Sequence, residues 1–257
     1  MSLRAEMLPP DSNPESLSET DAGGRGATVR HVIAVSDHPV ARSARRAYHA
    51  IGQFHVPMPR LLEVLILRTY VAIRTVYFWL LRLFVVEPIL RAHCLRHGKN
   101  LRGGGHLPWI TGSGDLIIGD NCNVVGKMDV AFAARFSSRP RLQIGDNTGI
   151  GHGVSFVVAK EITIGNWCHI AGGTRFFDSS GHPLDPERRR ANLPLEPDEV
   201  KPIAVGDNVW IGTASVIFPG VTIGDNSVVA TGSVVTSDVP PNTLVAGYPA
   251  RQIKRLG

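Results

Sequence analysis

Aromatic side chains make up only 7% of the 257 residues, so any core built from this sequence has to be aliphatic. Cysteine is scarce too. Cys94, Cys122 and Cys168 are odd in number and form no CxxC pair, which argues against a disulfide framework and a structural zinc site. The opening stretch, MSLRAEMLPPDSNPESLSETDAGG, lacks the apolar run of a signal peptide, so the expected compartment is the cytoplasm. An acidic excess is missing as well. A net charge of +5 gives mild attraction for phosphate groups, acidic lipid surfaces or nucleic acid. The arginines are scattered, however, with no basic patch interleaved with aromatics, and nucleic acid is not an expected partner.

Turn formers are what the chain has in quantity, with 27 Gly and 18 Pro. Residues 1–58 mix Pro, Ser, Gly, Asp and Arg without sustained periodicity and read as a disordered or poorly structured leader. Residues 59–100 are expected to be an apolar, amphipathic helical segment, centred on RLLEVLILRTYVAIRTVYFWLLRLFVVEPIL. It is as long as a membrane span, but Arg68, Arg74 and Arg82 interrupt it, and each central Arg costs roughly 2.5–3.5 kcal/mol on insertion scales. On a helical wheel Glu63, Arg68, Arg74 and Arg82 share an arc of roughly 140°, with a wide apolar face opposite. Two placements stay open: a helix lying in a bilayer surface with its arginines at the headgroups, or a helix packed on its own scaffold or a partner. Pro88 is expected to kink or end the helix, with a short second piece reaching about His97.

From residue 117 the period changes. Val205, Ile211, Ile217, Ile223, Val229 and Val235 stand six apart without a slip, and Ile144, Ile150 and Phe156 repeat the spacing, as do Ile164, Ile170 and Phe176. Short self-similarity of this kind means a stacked solenoid, and a hexapeptide period with Gly after the aliphatic is a β-helix signature. An amphipathic helix is a poor alternative, because each interior Gly costs it about 1 kcal/mol. Each aliphatic points into a narrow prism, and "IGDN" is expected to supply residues for turns with positive φ. Three hexads make one coil, so residues in excess must leave the scaffold as loops. The stretch between Phe176 and Val205 carries the largest excess, and it contains His182.

The stretches HPLDPERR and IAVGDNVWIGTASVIFPGVTIGDNSVVATGSVVTSDVPPNTLVAGYPARQIKRL resemble the C-terminal part of the hexapeptide-repeat O-acetyltransferases: the galactoside, maltose, nodulation-factor and colanic-acid enzymes. The resemblance covers roughly residues 115–257, taken as the acyltransferase domain with its C-terminal tail. It implies a left-handed parallel β-helix, a homotrimer, and acetyl-CoA bound as acyl donor in grooves between subunits, with a saccharide as acceptor. Carried over by position, His182 is the catalytic base, a role suited to a neutral imidazole near a sugar hydroxyl. Asp178, four residues earlier, is read as a turn former or as a group orienting that ring. Trp210 corresponds to the tryptophan walling the site, and Thr213 to the position whose backbone N–H faces the thioester oxygen. Thr231, Thr236 and Ser237 correspond to the pantetheine channel, and Arg251 and Lys254 to basic residues near the nucleotide phosphates. Two departures stand out. Ser237 replaces a Lys of the galactoside-type enzymes, and "IGHG" at 150–153 replaces an acceptor-side Asn, so the sugar does not carry over.

Other readings compete. His152, His169 and His182 lie in the repeat region, and carbonic anhydrases of similar β-helix fold hold zinc with three histidines from adjacent subunits. The placement of His182 in a long insertion and the GYPARQIK tail argue against this, and no metal is expected. A non-catalytic scaffold would not need the histidine, the tryptophan and the basic tail together. A drug-modifying or amino-group acetyltransferase of the same fold remains the alternative within the enzymes. The helix, if it lies on a membrane, would favour a polysaccharide or lipid-linked glycan as acceptor.

Overall fold

A computed structural model describes residues 36–133 and 137–257. The chain divides into two units, residues 1–64 and 65–257. Within the described part of the first lies helix α1, Pro39–Gln53, which corrects the expectation of a structureless leader over that stretch. His38 caps it, its ring accepting from the Val40 N–H at 3.3 Å, and Pro39 occupies the first turn, where its missing N–H does no harm. Ala41, Ala44, Ala47 and Ala50 supply the propensity that a composition of Arg, Ser and His hides. Residues 1–35, the rest of that expected leader, lie outside the described residues.

Helix α2, Arg60–Leu81, passes through a five-residue π turn, Arg82–Val86, into helix α3, Glu87–His93. Pro88 therefore neither ends the helix nor starts a separate one. In a regular helix its ring would strike the carbonyl of Phe84. The wider turn avoids this, and the Glu87 N–H reaches back to the Arg82 carbonyl instead. Every residue of α2 lacks burial, whereas Val86 and Leu90 are 1% exposed. Leu90 joins the core of the following β-structure through the cluster containing Leu101 and Leu116. Glu87 is buried beside it, held by Arg82 at 3.4 Å, by Arg91 at 2.9 Å and by the Gly103 N–H. The end of the helix is a plug for the prism.

The rest is a left-handed parallel β-helix with three faces. Face 1 stacks strands from Arg96–His97 to Thr222–Ile223, face 2 from Arg102–Gly103 to Ala250–Arg255, and face 3 from Trp109–Thr111 to Val234–Val235. It begins at about residue 95, not 115, since the Leu95 N–H already donates to the Leu116 carbonyl and Arg96 pairs with Ile117. The aliphatics counted from the period all point inward: Ile211, Ile217, Ile223 and Val229 are fully buried. Phe156 and Phe176 stack inside the prism with ring centres 5.0 Å apart. At about 25 cal/mol per Å² such burial is the main term holding the coils together.

The "IGDN" turn works differently from expectation. Only its Asn takes a positive φ, close to 56° at Asn121, Asn147, Asn208 and Asn226. The Asp binds the coil below: Asp120 Oδ1 accepts from the Lys99 N–H at 2.6 Å, and Asp146 Oδ1 from Asp120 at 2.7 Å. The Gly leaves room for that contact, because a Cβ on Gly119 would fall 2.8 Å from the Asp146 nitrogen. Asn side chains form a ladder along the corner between faces 1 and 2, from Asn100 to Asn121 to Asn147 and again from Asn208 to Asn226 to Asn242. Trp167 interrupts it, in the same left-handed conformation with φ of 59°. At the far end Gly247, with φ of 108°, helps the chain reverse into the antiparallel strand Ala250–Arg255.

Candidate active site

The largest loop leaves the corner between faces 3 and 1, after strand Arg175–Phe177, and returns at Ile203–Val205. An antiparallel bridge between Ser179 and Val200 closes its neck, with the Lys201 N–H donating to the Asp178 carbonyl at 2.8 Å. Its underside has a small core of Ala159, Leu195 and Val200, against which Ala133 packs. Inside the loop a short helix, α4 (Pro186–Arg190), is capped by Asp185, whose Oδ1 accepts from the Arg188 N–H at 2.7 Å. Arg189 holds the carbonyls of Pro183 and Leu184, both at 2.9 Å, and Arg188 pairs with Glu196.

His182 sits on this pinned frame. The Ser180 hydroxyl donates to its carbonyl at 2.8 Å, while the imidazole is exposed and makes no hydrogen bond among the described residues. Asp178 does not serve it. Its carboxylate is fully buried and accepts the N–H groups of Ala159, Lys160 and Glu161 at 2.7, 2.7 and 2.8 Å. Burial pushes its carboxyl above the ordinary range, against the pull of those three donors. Asp178 is thus a staple joining the loop neck to the coil below, which corrects its reading as a partner of the histidine ring.

The other expected residues lie on separate parts of the prism. Trp210 projects from face 2 between His169 and Val228 and is 57% exposed. Thr213 and Thr231 share the corner between faces 2 and 3, one coil apart, where the Gly232 N–H donates to the Thr213 carbonyl at 2.8 Å. Among the described residues nothing accepts the Thr213 N–H, as an oxyanion donor requires. Thr236 and Ser237 lie exposed at the corner of faces 3 and 1, the one that carries the His182 loop. Arg251 and Lys254 are exposed on the last strand, opposite Ala246 and Leu244. A single chain therefore puts Thr213 and Thr231 on one edge of face 3 and His182, Thr236 and Ser237 on the other.

The structure also brings Trp210 and His169 together with residues that the sequence reading did not single out. A groove of about 410 Å³ runs along face 2, lined by Asn123, Asn147, Gly149, His169 and Trp210 among others. Its signal was the outward position of each hexad, polar or small in "CNV", "TGI" and "CHI". The three thiols are poor nucleophiles. Burial pushes Cys94 up to about 12 and raises Cys122 and Cys168 in the same direction. The histidines weighed as zinc ligands fall on different elements: His152 at the corner of faces 2 and 3, His169 on face 2, and His182 in the loop. Among the described residues no group of three or more His, Cys, Asp or Glu is placed to hold a metal.

Residues 202–237 match the family described as the hexapeptide repeat of succinyl-transferase. The galactoside O-acetyltransferase of Escherichia coli is 40% identical over 121 residues, 47% of this chain and 57% of that protein. A putative acetyltransferase of Saccharomyces cerevisiae is 40% identical over 115 residues, 45% of this chain and 56% of its own. A solved galactoside acetyltransferase in complex with coenzyme A is 31% identical, with a TM-score of 0.47 over 66% of this chain and 70% of that one. The chain thus carries the hexapeptide repeat over residues 202–237 and is similar over about half its length to acetyltransferases. It spans little more than half the length of the curated relatives it matches.

Proposed function

We propose that the protein is an acetyl-CoA-dependent O-acetyltransferase that acts on a saccharide hydroxyl by direct transfer, with His182 as general base. The observation that carries the reading is the exposed, uncommitted imidazole on a loop whose backbone is fixed on every side. The acceptor oxygen attacks the thioester carbonyl carbon as its proton passes to the imidazole. The negative charge that develops on the carbonyl oxygen is met by the Thr213 N–H. Collapse breaks the C–S bond, and the coenzyme A thiolate leaves and recovers the proton from the imidazolium. The buried, raised thiols support direct transfer over an acetyl-cysteine intermediate. Arg251 and Lys254 offer the cations for the nucleotide phosphates, and Trp210 a wall for the reacting groups.

Two further features belong to the same reading. Thr213 and Thr231 stand on the edge of face 3 opposite the histidine loop, which supports an active unit in which neighbouring subunits supply the two edges, a homotrimer. The exposed helix α2 supports a cytoplasmic enzyme resting on the inner membrane surface and working in polysaccharide or lipid-linked glycan synthesis. The test is thiol release from acetyl-CoA across a panel of sugars and amino sugars. His182→Ala should cut kcat by about 10²–10⁴-fold with acetyl-CoA binding retained. Near-normal turnover in that variant, or turnover only with amine acceptors, sinks the assignment.

A further inference from the structure

The last turns of α2 dock on the corner between faces 2 and 3, low in the stack. Phe78 lies against Gly105, where a Cβ would come within 2.6 Å of the ring, so only glycine admits the helix this closely. One turn earlier, Arg74 and Thr75 wall a cavity of about 450 Å³ completed by Phe78, Gly105, His106 and Val125. The His106 ring stacks on Phe78 at 6.5 Å and meets His152 edge-on at 5.1 Å. His152 Nδ1 accepts the Lys127 N–H at 3.2 Å, which leaves Nε2 as the donor on its outer side.

The chemistry of this cluster is one-sided. No carboxylate lines the cavity. Asp129, the acid that follows this corner, is taken by Lys127 at 3.0 Å. Among the described residues Arg74 has no acidic partner, only the face of Tyr70 at 5.6 Å. A guanidinium and an imidazole facing one space suit a phosphate group, and His152 backs the His106 ring from behind. The approach is apolar: Leu67, Tyr70, Val71 and Ile73 of the same helix are all exposed. A phosphate carried on a hydrocarbon chain fits both halves.

The corner also leads to the proposed acyl site. Backbone hydrogen bonds climb it from Lys127 to Gly153, His152 to Gly173, Gly172 to Ala214 and Thr213 to Gly232. At about 4.8 Å per coil, His106 lies roughly 20 Å below Thr213, the reach of a few linked sugar rings. We propose that the Arg74–His106 cavity binds the phosphate of a lipid-linked saccharide, whose sugar extends up this corner toward the acyl donor. The saccharide half rests on the acetyltransferase reading, while the phosphate half does not.

The test uses the full chain in nonionic detergent. Dodecyl phosphate below its micellar concentration should bind at least tenfold more tightly than inorganic phosphate. Arg74→Ala should weaken it at least tenfold and His106→Ala several-fold, whereas Arg68→Ala on the same helix should leave it unchanged. Equal binding by Arg74→Ala and the wild type overturns the site, as does an equal loss in Arg68→Ala, which would mean only general cationic attraction. Phosphatidylglycerol vesicles should not displace the probe; displacement would make an ordinary headgroup the occupant and overturn the acceptor role. Acetyl-CoA affinity is measured in the same samples. Its absence in the wild type would end the acetyltransferase reading while leaving the dependence on Arg74 legible.

Discussion

The coils at 203–245 and the coil at 95–111 build the same three-faced prism from very different text. In the upper coils every hexad contributes its own inward aliphatic, from Val205 to Val235, each 4% exposed or less. In the lowest coil the matching positions are His97, which pairs in register with Ile118, and Gly103, which pairs with Val124. That coil cannot fill itself. Val86 stands 3.0 Å from where a Gly103 Cβ would be, and Leu90 joins Leu101 in the core, so the helix lends the side chains the coil lacks. A solenoid is stable where neighbours bury each other, and its end needs a cap from elsewhere in the chain.

This contrast is sharpened most by paired truncations. Ile211→Ala, in mid-stack, should lower stability by about 2–5 kcal/mol in urea unfolding, with loss of the whole prism as one transition. Leu90→Ala removes as many carbons but should appear mainly as early fraying of residues 86–111 in hydrogen exchange, with a smaller shift of the main transition. Equal global losses would mean that the plug is part of the prism's central cooperative unit. A smaller effect is expected at the loop neck. Asp178→Asn places an amide group where three N–H donors converge, and should cost about 1–3 kcal/mol. Limited proteolysis should then cut within 179–202 while the coils stay intact; an uncut loop would remove the staple role. The smallest effect concerns the Asn ladder. Trp167→Asn restores the side chain that tolerates positive φ best and should raise stability by about 1 kcal/mol. A loss instead would show that the indole is held by contacts worth more than the strain.

The same contrast explains what could be read in advance. The repeat and its inward aliphatics were legible from 117 onward because each coil carries its own signal. The first coil was not, because part of its core comes from Val86 and Leu90, residues outside any hexad. Helix α1 was hidden by its polar composition, and the π turn by the expectation that Pro88 kinks or ends the helix. At the site, the His182 loop stood out as an excess over the period. The task of Asp178 did not, since proximity of four residues suggested a partner in the loop, while its carboxylate turned to amides about twenty residues back in the chain. Trp210 and Thr213 were visible as residues, but their separation from His182 by a whole face is a property of the winding.

The plug and the reversed last strand have one more consequence. A parallel β-helix exposes unpaired strand edges at both ends, and stacked copies could extend it without limit. Here one end is blocked by Val86 and Leu90 and rimmed with Arg96, His97, Lys99 and Arg102. At the other, face 2 is closed by an antiparallel strand ending in Lys254 and Arg255. Like charges at both ends disfavour fibre growth along the axis.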